Sequence, residues 1–148
     1  MSSILLLCGG FLLAVLWMDL MFDVQALRHR ADAGALPEVV LGSIAAYYHR
    51  VTTQARPMGH LVGAIMAVAL VALSIEIVRG DPAGLISLPF CAGPIVLAFA
   101  RVLPNAVRLG SRVDSASEQS ALARAICRDH LICFGGILAF VGLRLLVT

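Results

Sequence analysis

The chain has 148 residues, of which 60% are hydrophobic and 14% charged, and its mean hydropathy is +0.94. Soluble domains are about half apolar and about a quarter charged, so this composition excludes an ordinary soluble fold and predicts that a lipid bilayer solvates part of the surface. The net charge of +2 is too small to indicate a nucleic-acid partner.

Four segments are apolar over the roughly 20 residues that a membrane-spanning helix needs. The first, at about residues 4–27, lacks the basic start and the cleavage site of a signal peptide, so we expect it to be retained. The others are at about residues 58–78, 82–103 and 121–147. We therefore predict an all-α four-helix bundle that forms one integral membrane domain, residues 1–148. Pro89 and Pro94 fall inside the third span, where proline is tolerated and kinks the helix.

The long connection after the first span contains a further predicted helix, at about residues 37–50. Pro37 followed by Glu38 is a helix-start signal, and apolar residues follow at near-helical spacing. This pattern predicts an amphipathic helix that lies on the membrane surface, with Tyr47 and Tyr48 at the level of the lipid headgroups.

The remaining connections differ in length and charge. Arg79-Gly80-Asp81 is a tight turn, whereas the polar segment from Pro104 to Ser120 contains a capping box at residues 115–118. Most arginines lie in or beside the first and third connections, among them Arg28, Arg30, Arg50, Arg56, Arg101, Arg108, Arg112, Arg124 and Arg128. The positive-inside rule therefore places these connections in the cytoplasm and both termini outside it. The absence of lysine favours a GC-rich bacterial genome, and hence a bacterial inner membrane.

Ionisable side chains within membrane spans are costly and by default mark function. Every predicted span contributes such groups to the cytoplasmic end, and the amphipathic helix adds one more: Asp19, Asp23, His60, Arg101, Asn105, Asp129, His130 and His49. Asp19 and Asp23 are four residues apart and so share a helix face. At the other end, Glu76 and Arg79 are three residues apart, and we predict that they pair at the interface.

Three interpretations of this polar end remain open. The residues can form a structural network of Asp–Arg pairs that reach the interface. Alternatively, Asp19, Asp23, His60 and His130 can bind a transition metal, as carboxylates and imidazoles do in di-iron bundles, although the Glu-x-x-His signature is absent. Adjacent Asp129 and His130 point about 100° apart, which prevents both from facing one ion. The third interpretation is metal-free acid/base chemistry between a carboxyl group and an imidazole.

Four features of the layout occur together. They are Tyr47-Tyr48-His49 in the long first connection, the turn Arg79-Gly80-Asp81-Pro82, the element Leu103-Pro104-Asn105 after the third span, and the basic entry to the fourth span from Arg124 to His130. This layout resembles the anthrone-oxygenase-like group of small four-helix membrane proteins. The resemblance implies oxidation of a hydrophobic polycyclic or quinone-like substrate, without a conventional cofactor. It does not extend to Asp19 and Asp23.

Two functional hypotheses follow. The first is an oxygenase- or oxidoreductase-type enzyme for a lipid-soluble small molecule, working with either no cofactor or a transition metal. Its catalytic candidates are Asp19, Asp23, His60, Asp129 and His130, and its substrate-binding candidates are His49, Tyr48, Arg101, Asn105 and Trp17. The second is a non-enzymatic accessory or assembly subunit of a larger membrane complex. A transporter is a third option, which needs an oligomer because four helices enclose little space.

Small residues on the predicted helices support the second hypothesis, an accessory or assembly subunit. Gly9-Gly10, Gly59 with Gly63, and Gly135-Gly136 would let helices approach closely, within the bundle or in a homo-oligomer. The cysteines, Cys8, Cys91, Cys127 and Cys133, form no CxxC pair and are interpreted as packing residues, with a Cys8–Cys91 disulfide as the alternative.

Overall fold

The computed structural model describes residues 2–29 and 34–147, and this part of the chain is helical, with no strand. Arg30 and Asp32, which belong to the first basic connection, lie outside the described residues. Within the described ranges, four helical stretches are long and apolar enough to cross a membrane: Ser2–Arg28, Arg56–Val78, Pro82–Ser111 and Ala116–Leu146. The predicted all-α class with four candidate spans is therefore confirmed.

The described residues form six α-helices. Helix α1 is Ser2–Asp23 and continues as a 3₁₀ turn, Val24–Arg28; α2 is Glu38–His49, followed by a π-turn, Arg50–Gln54; and α3 is Arg56–Val78. Helix α4 is Pro82–Leu97, followed by a π-turn, Ala98–Val102; α5 is Leu103–Ser111; and α6 is Ala116–Val147.

The turn between α3 and α4 is as tight as predicted, and its sequence explains why. Gly80 adopts φ +78°, a left-handed conformation that glycine reaches without steric cost. Its N–H donates to Ile77 O and the next N–H, of Asp81, donates to Glu76 O, which is the Schellman pattern of helix ends. Asp81 then caps α4 by accepting from Ala83 N at 2.9 Å, so one short segment ends one helix and starts the next.

The third connection is shorter than predicted. The helix does not end near residue 103 but continues through the π-turn and α5 to Ser111, since Pro104 falls in the first turn of α5, where its missing N–H is tolerated. Helix α6 starts at Ala116, not near residue 121, and the predicted capping box starts it. Ser115 Oγ accepts from Glu118 N at 3.3 Å, and the Glu118 carboxylate accepts from Ser115 N at 3.0 Å.

The four long helices form a ring. Helices α1 and α4 each pack against both α3 and α6, so α1 lies opposite α4 and α3 lies opposite α6. One apolar cluster fills the end of this ring near the α3–α4 turn and includes Leu5, Leu73, Cys91 and Phe140. All four cysteines are buried and free, as the packing interpretation predicts.

A second apolar cluster lies at the other end, where α2 covers α5 and the first turns of α6. Leu41, Ile44 and Tyr48 of α2 are buried there against residues such as Leu109 and Ile126. The predicted amphipathic helix is present, but protein covers its apolar face, and Tyr48 is buried in the protein. The tyrosines turn inward because carboxylates of α1 lie within hydrogen-bond reach.

The predicted pairing of Glu76 with Arg79 is wrong. The Glu76 carboxylate instead lies 2.8 Å from an η nitrogen of Arg144, and that guanidinium also donates to Ser2 Oγ at 3.2 Å. Both members of the pair are buried, whereas Arg79 is exposed in the turn. Because the Glu76 carboxylate is buried, it pairs with Arg144 of α6, which is buried beside it and neutralises its charge away from water.

Replacing Arg144 with Met should therefore destabilise the protein by about 3 kcal/mol or more, since it leaves the Glu76 carboxylate buried without its counter-ion. Arg79→Met is the matched control and should change stability little, because Arg79 is exposed. Thermal unfolding of both variants in one detergent measures the difference. A loss for Arg79→Met as large as the loss for Arg144→Met, or larger, would contradict the Glu76–Arg144 pair.

Only some of the predicted small-residue contacts form within the chain. A β-carbon at Gly9 would lie 2.5 Å from a Val141 methyl group, and one at Gly136 would lie 2.7 Å from the Pro94 ring. Positions 10, 59, 63 and 135 have open space instead. Among the described glycines, the tightest approach to backbone is at Gly110 of α5, where a β-carbon would lie 2.7 Å from His49 N.

We expect Gly110→Ala to push α2 away from α5 and to cost about 1–3 kcal/mol of stability. Gly135→Ala is the matched control, because its β-carbon meets nothing within 4 Å and alanine favours a helix. Thermal unfolding should show a lowered midpoint for the first variant only. An unchanged midpoint for Gly110→Ala would contradict the close packing of α2 on α5.

Candidate functional site

A buried carboxylate joins three helices at the polar end of the ring. Asp23, at the end of α1, places Oδ2 2.6 Å from Nδ1 of His130 on α6. Its other oxygen, Oδ1, accepts a hydrogen bond from the Tyr48 hydroxyl of α2 at 2.6 Å. Asp23 is fully buried and His130 nearly so. Because an ionised carboxylate only accepts, Nδ1 of His130 carries the proton in the neutral imidazole, and in that form Nε2 is the proton acceptor.

A second carboxylate lies on the other side of the same imidazole. Asp19 Oδ2 is 3.8 Å from His130 Nε2, which is too far for a direct hydrogen bond. Its Oδ1 accepts from the Tyr47 hydroxyl at 2.5 Å, and the Tyr47 ring stacks on Phe22 with centroids 4.1 Å apart. Asp19 and Asp23, four residues apart, thus both face His130, as their shared helix face predicts.

The two tyrosines are hydrogen-bond donors held in their neutral form. Burial raises the pKa of the Tyr48 hydroxyl, and the negative charges of Asp23 and Asp19 raise it further. Burial also raises the pKa of Tyr47, with the Asp19 charge as the next cause. Both hydroxyls therefore keep their protons at every physiological pH and continue to donate to the carboxylates.

The imidazole and Asp19 border a cavity of about 460 Å³ in the middle of the ring. All four long helices line it, mostly with apolar side chains such as Leu16, Met66 and Ile95, and α2 contributes Tyr47 and Tyr48. Asp23 is not among its lining residues. His130 therefore lines the cavity, whereas the Asp23 carboxylate that orients its ring lies outside it.

The wall between α3 and the α4–α5 helix is open. Residues 56–61, the first turns of α3, are all exposed, and Met58, Phe99 and Leu103 both line the cavity and reach the outer surface. His60 and Arg56 also line it but are exposed, so they lie at its rim. Of the sequence-predicted catalytic residues, His60 therefore belongs to the entrance of the cavity.

Asp129 belongs to a different group. It is fully buried, and its carboxylate lies 3.1 Å from Nε of Arg101 and 3.4 Å from Nε of Arg128. Neither Asp129 nor Arg101 lines the cavity. The 100° separation expected for Asp129 and His130 explains this, because His130 lines the cavity and Asp129 contacts Arg101 of the π-turn Ala98–Val102.

Three predicted substrate-binding residues also lie elsewhere. His49 is exposed and borders a separate groove with Gly42 and Arg112. Trp17 is exposed and packs on Phe134, with ring centroids 6.2 Å apart, and Asn105 is half-buried next to the cavity wall without lining it. Tyr48 does line the cavity.

The side chains do not converge as a metal site. Among the described residues, no group of three or more His, Cys, Asp or Glu side chains is arranged to hold an ion. Asp23 and His130 Nδ1 bond to each other, and His60 lies at the rim.

The sequence analysis did not predict the role of Tyr47 in the site. A signal for this role was present in the sequence, because two adjacent tyrosines on an amphipathic helix need polar partners for any hydroxyl that is buried.

Comparison with known proteins adds no relative. Models of protein families, curated proteins and solved structures yield no match to this chain.

Tyr47 and Tyr48 are the only tyrosines, so the phenolate absorbance of the whole protein reports on the site. In the folded protein we expect no phenolate signal near pH 10, where unfolded tyrosine ionises. Because the folded pKa values are raised, the unfolded state loses protons first, and stability falls as pH rises above about 10. Tyrosines that titrate near pH 10 in the folded state would contradict their bonding to Asp19 and Asp23. Denatured protein is the control.

Proposed function

We propose that this protein is a membrane-embedded enzyme that removes a proton from a lipid-soluble, quinone-like or polycyclic molecule. One observation carries the proposal: His130, held by Asp23 through Nδ1, lines a mostly apolar cavity that opens on the outer surface. Pockets that bind small molecules combine an apolar lining with a few placed polar groups, and this cavity is within their usual range of size.

The depth of the site supports a membrane location for this chemistry. Asp19, His60 and His130 each lie about 20 residues or slightly fewer from the opposite end of their helices, which is the length that crosses the hydrocarbon core. The polar end would then lie at the boundary between hydrocarbon and headgroups. The arginine distribution favours the cytoplasmic side of a bacterial inner membrane, with both termini outside. Helices α2, α5 and the start of α6 would extend into the cytoplasm.

Each polar residue has a role in such a reaction. Asp23 holds the Nδ1–H tautomer of His130, so that Nε2 accepts the substrate proton, and it stabilises the imidazolium that forms. Asp19, 3.8 Å from Nε2, adds a second negative charge to that imidazolium. Tyr47 and Tyr48 bond the outer oxygens of the carboxylates and fix their geometry. His60 and Arg56, at the rim of the cavity, would contact the polar group of an entering molecule.

The class of substrate is inferred from the position of the cavity's opening and from the side chains that line the cavity. The opening between α3 and the α4–α5 helix is bordered by Met58, Phe99 and Leu103, so a molecule dissolved in the bilayer reaches the cavity without crossing water. An aromatic ring system matches this lining. An acidic C–H beside a carbonyl group, or a phenolic O–H, would then meet His130.

The resemblance in layout to anthrone-oxygenase-like proteins supports oxidation as the outcome. Removing a proton from the CH₂ group of an anthrone gives an electron-rich anion, which dioxygen can oxidise. In the full reaction, one O₂ converts the CH₂ group to a carbonyl group and releases one water. The protein needs to supply only the base and a dry cavity.

The test is turnover of an anthrone and of a naphthohydroquinone by purified protein in lipid nanodiscs, followed by oxygen uptake and quinone absorbance. His130→Gln should lower kcat by about a hundredfold or more, because it removes the base. Asp19→Asn should lower it less. His49→Gln is the matched control and should keep the wild-type rate, since His49 lies outside the cavity.

A His130→Gln variant with wild-type turnover would exclude this site. Wild-type protein that turns over neither probe, and binds neither of them nor anthracene in a displacement assay, would exclude the enzyme and favour the accessory-subunit alternative.

A further inference from the structure

Arg101, Asp129 and Arg128 form a group that the proposed reaction does not use. The Asp129 carboxylate is fully buried, whereas the side chains of Arg101 and Arg128 are 49% and 61% exposed. Each arginine meets a different oxygen of the carboxylate through Nε, at 3.1 and 3.4 Å. One buried acid thus holds two exposed guanidinium groups side by side, and the group keeps a net positive charge.

The two arginines have more hydrogen-bond donors than Asp129 can satisfy. Two guanidinium groups carry ten N–H donors, and one carboxylate offers about four acceptor sites. Three other arginines of this end have acceptors of their own: Arg108 bonds Asp114, Arg112 bonds Glu38, and Arg124 bonds Gly34 O. Within the described residues, Asp129 is the only side chain that pairs with Arg101 and Arg128.

The surroundings of this pair are apolar and outward-facing. Leu131 and Ile132, three and four residues after Arg128, share its face of α6 and are exposed. Neither arginine lines the cavity. This surface is therefore suited to acyl chains beside a pair of cationic groups, and not to a water-soluble partner.

The depth is that of lipid headgroups. Arg101 lies about 20 residues from Pro82 at the start of α4, and Arg128 lies about 20 residues from Val147 at the end of α6. The two helices run side by side, so both guanidinium groups reach the same boundary of a hydrocarbon core.

We propose that Arg101 and Arg128 bind the phosphate group of an anionic phospholipid. A phosphate supplies the acceptors that the η nitrogens lack, and guanidinium groups bind phosphate oxygens in pairs. Asp129 fixes both arginines before binding, which lowers the ordering cost. The net positive charge favours a headgroup of net negative charge over a zwitterionic one, as in basic pockets between membrane helices. This inference does not depend on the proposed reaction.

The experiment measures lipid binding to the detergent-purified full chain by native mass spectrometry and thermal unfolding. Three probes are compared: phosphatidylglycerol, phosphatidylcholine and inorganic phosphate. We expect phosphatidylglycerol to bind one-to-one and to raise the unfolding temperature, with smaller effects of the other two. Arg128→Gln keeps the shorter Arg101–Asp129 contact and should weaken phosphatidylglycerol binding about fivefold.

The triple variant R101Q/D129N/R128Q removes the buried acid with its partners, so that no charge is left buried alone. It should weaken binding by about twentyfold or more. Arg79→Gln, at the opposite end, is the matched control and should bind as the wild type does. If Arg128→Gln retains wild-type affinity, the proposal fails. It also fails if phosphatidylcholine binds equally well, or if inorganic phosphate alone reproduces the full stabilisation.

Discussion

The buried carboxylate of Asp23 is the interaction on which the arrangement of this protein depends. A carboxylate that is removed from water must accept hydrogen bonds, and among the described residues the donors to Asp23 are Tyr48 of α2 and His130 of α6. Satisfying Asp23 therefore brings Tyr48 inward, docks α2 on the end of the bundle and turns the His130 ring to one tautomer. The cost of burying the acid is offset by the same bonds that orient the imidazole, so stability and site geometry have one origin.

Hydropathy and helix-end signals were sufficient for most of the fold. The four helices long and apolar enough to span a membrane, the tight turn at Gly80 and the capping box at Ser115 depend on local sequence, and each is present in the described residues. The polar segment around Pro104 and Asn105 was predicted to be a connection, because a proline and several charges resemble a loop. It is helical because its apolar face, including Leu109, is covered by α2, and no local signal contains that information.

The site was predictable in part, for the same reason. The shared face of Asp19 and Asp23 and the divergence of Asp129 from His130 follow from 3.6 residues per turn, and both are found. Which partner each acid chooses depends on tertiary packing. Glu76 lies three residues from Arg79 and yet pairs with Arg144, and Arg101 turns to Asp129 and not to the cavity. Sequence spacing predicts which residues share one side of a helix, but it does not predict which other helix packs against that side.

The position of the Glu76–Arg144 pair has a consequence for how α3 can move. The pair joins α3 to α6 near one end of the ring, and the other end of α3 is exposed over its first turns. A helix of this length that is held at one end behaves as a lever, and a tilt of about 5° would displace its free end by about 3 Å. The gap between α3 and the α4–α5 helix would widen by a similar amount. The thickness of a flat molecule, more than its length, would then decide whether it can enter.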